Sequence, residues 1–204
     1  MENLPAVAKE YRILLSRILG AGILIVILVS ASSFVIPPVA DIVLELFSFI
    51  LVLIAAFGRL WSLSYISGHK TKDLIAVGPY SLVRNPLYLF SLLGSLGIGL
   101  ATKNILVFFL IIILFALYYP VVIRAEEKHL ERIHGDEFLS YKKKTPMFIP
   151  RFSRFREPKE YAINTRLFRR AFFSVMWFPL GYILILEIER LHALNLLPVL
   201  FRIP

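Results

Sequence analysis

Cysteine is absent from this chain of 204 residues. Its absence excludes disulfides, cysteine metal sites, thiol nucleophiles and palmitoylation. Acidic side chains are also scarce: 14 Asp and Glu stand against 23 Lys and Arg, so the formal net charge is +9. Charge by itself does not distinguish nucleic acid from anionic lipid as the partner of such a chain.

Apolar residues are the abundant class. They make up 58% of the chain and include 17 Phe, whereas a soluble domain is usually about 45–50% apolar. The excess lies in long runs rather than at amphipathic spacing, which indicates membrane spans. Because these runs flank the basic segments, anionic membrane lipids are the expected partner and nucleic acid is not.

The runs predict an all-α, polytopic membrane protein with about five transmembrane helices in one domain, residues 1–204. The first run follows a basic start, as in a signal peptide, but it is longer than the usual signal core and predicts a retained span. The apolar tail, residues 196–204, is too short to span and is expected to lie at the interface or pack against the bundle. The predicted spans are 18–36, 42–60, 86–101, 105–123 and 171–188.

The basic residues predict the orientation of the chain. With five spans and a cytoplasmic N-terminus, the cytoplasmic segments are counted as 1–17, 59–84 and 124–170, and they hold every Lys and Arg except Lys103, Arg190 and Arg202. The positive-inside rule therefore favours a C-terminus outside. Two polar stretches, residues 65–88 and 124–152, then share the cytoplasmic face and can meet across the short hairpin of the third and fourth spans.

Residues 78–88 (GPYSLVRNPLY) run from a polar loop into a predicted helix that Pro86 begins. Backbone N–H groups at a helix start favour an anion, and Arg84 adds a two-pronged donor for carboxylate or phosphate. Glu126 and Glu127 add acceptors for ribose hydroxyls, an ammonium group or a sulfonium-bearing ligand. Together these groups suit a zwitterionic cofactor that contains a nucleoside.

Each of these features also has a purely structural interpretation. Arg84 and Tyr88 fit interfacial anchors equally well. Glu126 and Glu127 fit a solvated pair that interacts with basic neighbours on the same helix. The glycines of the third span, Gly94, Gly97 and Gly99, either let helices approach closely or make the hairpin tight.

Three elements taken together resemble a known family. Residues 78–88, the Glu126 and Glu127 pair, and residues 135–150 (GDEFLSYKKKTPMFIP) follow in that order. They resemble the isoprenylcysteine carboxyl methyltransferase family, whose relatives include the phospholipid N-methyltransferases. The resemblance covers about residues 57–152, which would form the catalytic core.

The resemblance implies an integral membrane enzyme that uses S-adenosylmethionine. The cofactor would lie in a cytosolic pocket closed by the polar C-terminal segment, and a lipophilic substrate would enter from the bilayer. Arg84 and Arg124 are the candidate catalytic residues, although Arg124 is near the family's substrate-orienting arginine without aligning with it. The positions implied to bind cofactor are Leu74, Ile75, Tyr80, Asn85, Pro86, Leu87, Tyr88, Glu126 and Glu127.

Two positions depart from the family. Asn85 stands where the family usually has His, and Phe90 where it often has Gly. An amide can replace one imidazole hydrogen bond but cannot carry the charge. We therefore expect cofactor binding to survive at Asn85, a proton-transfer role to be lost there, and Phe90 to narrow the lipid entrance.

The methyl acceptor is left open between a prenylcysteine carboxylate and a lipid head group. A carboxylate is ionised at neutral pH and needs no general base, whereas an amine would have to arrive deprotonated. No metal site is predicted, because His69, His129 and His134 lack converging spacing. One alternative is an NADPH-dependent sterol-type reductase, but this chain has no clear basic cluster for the 2′-phosphate of NADPH. The other is a non-enzymatic scaffold or small transporter.

Overall fold

The computed structural model describes residues 18, 20–34, 36–67 and 73–203, and it is mostly helical. Among these residues, three helical stretches are long and apolar enough to cross a membrane: Pro38–Ile66, Ile105–Lys144 and Thr165–Ala193. The helical fold is confirmed, and these three helices indicate a membrane protein; five spans and their orientation stay predictions. The elements in order are α1 (Gly20–Val29), β1 (Ser30–Ser32), α2 (Pro38–Ile66), α3 (Pro79–Leu82), α4 (Pro86–Ala101), α5 (Ile105–Lys144), a 3-10 turn (Phe152–Arg154), α6 (Thr165–Val175), α7 (Trp177–Ala193) and β2 (Phe201–Ile203).

The first predicted span, 18–36, was wrong in its second half. The helix ends at Val29, and β1 pairs in parallel with β2 of the tail, with Ser30 opposite Phe201. The Ser30 hydroxyl donates a 2.6 Å hydrogen bond to the carbonyl of Val26, and such local bonds compete with helix continuation. The tail therefore packs against the bundle, one of the two expected outcomes, and adds a two-stranded sheet to an otherwise helical chain.

Helix boundaries follow local signals at several other places. α4 begins at Pro86 and ends at Ala101 as predicted, whereas α2 runs past the predicted residue 60 to Ile66. α5 continues beyond its apolar part and breaks at Gly135, where φ is +52°, before it resumes to Lys144. The break agrees with the helix end that the sequence predicts at Gly135, since a glycine with positive φ ordinarily ends a helix; the second helix, which runs on to Lys144, was not predicted.

The glycines of α4 bring it close to the helices around it. A Cβ atom on Gly97 would lie 2.7 Å from the backbone oxygen of Ser48 in α2, and one on Gly99 would lie 3.1 Å from Ile111 in α5. Phe90 lies directly against Gly58 of α2, where a Cβ atom would overlap its ring. The glycines thus serve both expected roles, since Gly97 lets α2 approach closely and Gly99 tightens the hairpin of α4 and α5. Phe90 fills the space beside Gly58 of α2.

Candidate functional site

The polar chain after α5 lies across the 78–88 motif. Backbone hydrogen bonds join Arg84 N–H to the Pro146 carbonyl (2.8 Å), Arg151 N–H to the Leu82 carbonyl (3.1 Å) and Gly78 N–H to the Arg156 carbonyl (2.7 Å). We call residues 146–161 the covering segment. Because main-chain bonds hold it at three points, the motif and the covering segment form one unit at the end of α2.

Aromatic contacts complete this unit. The Tyr65 hydroxyl donates to the Glu157 carboxylate at 3.1 Å, and the Tyr161 hydroxyl donates to the backbone carbonyl of Tyr65. The two tyrosine rings lie 4.5 Å apart. Gly78 has φ of +59°, and a Cβ atom there would overlap the Tyr65 ring. The turn into α3 therefore requires glycine for both its conformation and its close packing.

Arg84 joins the two polar stretches that the sequence separates. Its Nε atom lies 2.8 Å from Oε1 of Glu127, with only 11% and 8% of the two side chains exposed. Nη1 donates to the carbonyls of Lys142 (2.9 Å) and Thr145 (2.7 Å). This burial rules out the alternatives of Arg84 as a simple interfacial anchor and Glu127 as a solvated acid.

The carboxylate of Glu127 is shared by two cations. Besides Arg84, Lys142 Nζ lies 3.2 Å from Oε2. Both oxygens therefore have a charged partner within the protein, and the cofactor contact implied for Glu127 stays a prediction. The same holds for a catalytic role of Arg84, whose contacts position α5 and the start of the covering segment around the motif.

Three buried polar atoms near the motif have no hydrogen-bond partner among the described residues: Tyr80 Oη, Asn85 Nδ2 and Arg59 Nε. Asn85 is the N-cap residue of α4, yet its side chain does not cap the helix. Buried donors are almost always satisfied in folded proteins. These three donors therefore leave hydrogen-bonding capacity for polar ligands beside the motif.

Tyr80 is held as a neutral phenol. Burial raises the pKa of Tyr80 well above its ordinary value, and the nearby Tyr141 and Glu126 act in the same direction. Its backbone carbonyl accepts a 2.7 Å hydrogen bond from the Tyr141 hydroxyl. Glu126 is half-buried and close enough to Tyr80 for its carboxylate to raise the pKa of the phenol. The Tyr80 hydroxyl therefore keeps its proton and can donate a hydrogen bond at the predicted cofactor site.

Two residues of this neighbourhood were missed by reasoning from the sequence. Tyr119 of α5 meets the Tyr88 ring edge-on at 5.2 Å; it lies two helical turns before Glu126, on the same face, a spacing that could have revealed it. Arg59 has Tyr80, Tyr88 and Tyr119 as electrostatic neighbours. The sequence feature that could have identified Arg59 is that it is a single charged residue near the end of an apolar run.

The remaining predicted residues lie around this centre. Leu74 and Ile75 are half-buried in the connection before the motif, and Pro86 and Leu87 form the first turn of α4. Arg124 is exposed on α5. It lines an open cavity of about 590 Å³ together with Glu127, Lys128, Glu131, Arg132 and Lys142. His69 lies outside the described residues. Within those that are described, no group of three or more His, Asp or Glu side chains could hold a metal ion.

Comparison with known proteins gives one family and two named relatives. Residues 40–137 match the phospholipid methyltransferase family. The nickel-cobalt-cadmium resistance protein NccN of Alcaligenes xylosoxydans xylosoxydans is 37% identical over 153 residues, 75% of this chain and 71% of the relative. The cobalt-zinc-cadmium resistance protein CzcN of Cupriavidus metallidurans is 41% identical over 136 residues, 67% of this chain and 62% of the relative. No solved structure matches the chain.

Proposed function

Because this chain belongs to the phospholipid methyltransferase family, we propose that it methylates a lipophilic acceptor with S-adenosylmethionine at the cytoplasmic membrane surface. The acceptor is the carboxylate of a prenylcysteine-like molecule or a lipid head group. The observation that carries the proposal is the meeting of the 78–88 motif with Glu127, through Arg84, beside buried donors that have no partner among the described residues.

The donor set suits this cofactor. The amide Nδ2 of Asn85 and the hydroxyl of Tyr80 can each donate to its carboxylate or ribose oxygens. Glu126, near Tyr80, supplies an acceptor for an ammonium group or ribose hydroxyls. The aromatic rings of Tyr88 and Tyr119 can attract a sulfonium cation, although one face of Tyr119 is already stacked on Phe115. These residues would hold the cofactor without any charged group at Asn85.

S-adenosylmethionine supplies an activated methyl group, which passes to the acceptor's nucleophile while the sulfur keeps the electron pair of the broken bond. The protein has to align the acceptor about 3–3.5 Å away and exclude water. The covering segment, bonded to Gly78, Leu82 and Arg84, is suited to excluding water. An ionised carboxylate acceptor loses no proton in the reaction, so no general base is required of the chain.

Incubation with methyl-labelled S-adenosylmethionine tests the function. Membranes from cells that express the chain should transfer label to a lipid-extractable product, and membranes without it should not. Purified protein should bind S-adenosylhomocysteine saturably. If instead the protein binds NADPH and leaves every lipid unlabelled, the reductase alternative is correct and methyl transfer is wrong.

Tyr80→Phe should weaken S-adenosylhomocysteine binding about 10-fold without destabilising the ligand-free protein. The hydroxyl has no partner among the described residues, so its removal breaks no protein hydrogen bond, whereas a bond to a charged ligand group contributes about 1.5 kcal/mol. Calorimetric titration and thermal unfolding in detergent measure the two quantities.

Tyr182→Phe is the matched control. Its hydroxyl donates a 2.8 Å hydrogen bond to the Glu45 carbonyl in α2. The variant should therefore be less stable but keep its affinity for S-adenosylhomocysteine. Equal affinity of the Tyr80→Phe and wild-type proteins would remove Tyr80 from the cofactor site.

The two relatives favour a second, cellular function. Both are named as resistance proteins for cobalt and cadmium, and we propose that methyl transfer by this chain contributes to resistance against such divalent metals. A deletion strain should grow poorly at raised cobalt or cadmium and recover with wild-type chain. Recovery with a variant that no longer transfers methyl groups would separate resistance from methylation.

A further inference from the structure

Arg59 is a charged residue well inside an apolar helix. It lies about two turns, or roughly 10 Å, before the end of α2 at Ile66. Its guanidinium contacts α4 through the Leu87 carbonyl (3.3 Å) and the Ser91 hydroxyl, and lies over the Phe178 ring of α7 at 5.5 Å. Charges at such positions are costly and usually mark a functional site.

The guanidinium has no acidic counterpart in the described part of the chain. Both of its protein hydrogen bonds there are made by Nη1, to neutral oxygens. Nε is buried without a partner among the described residues. Nε and Nη2 form the side edge of the guanidinium, the edge that binds two oxygens of one carboxylate or phosphate. The protein thus binds the Arg59 guanidinium through Nη1 and leaves the edge formed by Nε and Nη2 for bidentate binding of a ligand.

We propose that Arg59 binds the anionic group of the lipophilic acceptor, a carboxylate or phosphate carried on a long apolar tail. The site is formed where Arg59 of α2 meets Leu87 and Ser91 of α4 and Phe178 of α7. That the bound anion belongs to the methyl acceptor rests on the proposed methyl transfer. The anion site itself rests only on the contacts of Arg59. The acceptor is favoured over the cofactor carboxylate because Arg59 lies about two turns inside α2, a helix that is long and apolar enough to cross a membrane.

The neighbouring aromatic residues support this placement. Tyr80 and Tyr88 are electrostatic neighbours of Arg59, so an anion on its side edge would lie next to the residues that are proposed to hold the cofactor. A short distance between anion and cofactor is what a methylated head group requires. Phe178, against Gly94 of α4, provides an apolar wall for the tail.

Binding of simple alkyl probes tests the site. Purified protein in a neutral maltoside detergent is titrated with dodecanoate, dodecyl phosphate and dodecanol, and separately with S-adenosylhomocysteine. Wild-type protein should bind at least one of the two anions about 10-fold or more tightly than dodecanol. Arg59→Gln should abolish that preference and leave S-adenosylhomocysteine affinity within about twofold, since a lost charged hydrogen bond corresponds to at least a tenfold change.

Two further variants keep the test decisive. Arg190→Gln is the control, because Arg190 is exposed and pairs only with its neighbour Glu187 in the described structure; it should retain the preference. Arg59→Lys keeps the charge but cannot form a bidentate contact, so its preference for the anions over dodecanol should fall about threefold or more. This variant tests the site even if Arg59→Gln does not fold.

The outcomes separate the proposals. An unchanged anion preference in Arg59→Gln, or in Arg59→Lys where Arg59→Gln does not fold, overturns the site. A preference that persists while S-adenosylhomocysteine affinity falls more than 10-fold also overturns it and assigns Arg59 to the cofactor. Wild-type protein that shows an Arg59-dependent preference yet binds no S-adenosylhomocysteine supports the anion site and contradicts the proposed function.

Discussion

Arg84→Met is expected to lower the free energy of unfolding by about 3–5 kcal/mol, the usual result of removing one partner of a buried ion pair. Glu127 would keep Lys142 as a partner (3.2 Å), so the lower end of that range is expected. The carbonyls of Lys142 and Thr145 would also lose their donor. Unfolding titrations in mixed micelles measure the change.

Two comparisons isolate the buried pair. Arg190→Met removes an ion pair whose side chains are 65% and 51% exposed, and it should cost less than about 1 kcal/mol. A double variant, Arg84→Met with Glu127→Gln, should recover part of the loss, because it removes the stranded charge. If Arg84→Met cost no more than Arg190→Met, Arg84 would not be what joins the motif to α5.

Gly78→Ala should be the most damaging single-methyl substitution in the motif, at about 2–6 kcal/mol. Positive φ costs a residue with a side chain about 1–3 kcal/mol. The new methyl would also overlap the Tyr65 ring, and overpacking typically adds about 1–3 kcal/mol. Because Tyr80 follows in the same turn, S-adenosylhomocysteine affinity should fall together with stability.

Gly135→Ala separates these two causes. Gly135 has nearly the same backbone conformation (φ +52°, ψ −126°) as Gly78 (φ +59°, ψ −134°), but nothing lies within 4 Å of an added Cβ atom. It should show the backbone strain alone and leave ligand affinity unchanged. Equal losses in the two variants would mean that the Tyr65 contact contributes nothing.

Local signals in the sequence were enough for much of the helical plan. Pro86 begins α4 because its missing N–H needs no partner at a helix start, and Gly135 interrupts α5 because it adopts positive φ. The apolar runs were sufficient to identify a helical membrane protein. The order of the 78–88 motif, the Glu126 and Glu127 pair and residues 135–150 was sufficient for the family, which the comparison confirms.

What the sequence alone determined is therefore what depends on neighbouring residues: helix starts, helix breaks and membrane-length runs. Only the tertiary structure decided which charges meet. It pairs Arg84 with Glu127, leaves Arg59 without an acidic partner among the described residues, and joins β1 to the distant β2. These partners depend on how helices that are far apart along the chain pack together, as α2 and α4 do at their glycines. A local sequence pattern does not contain that information.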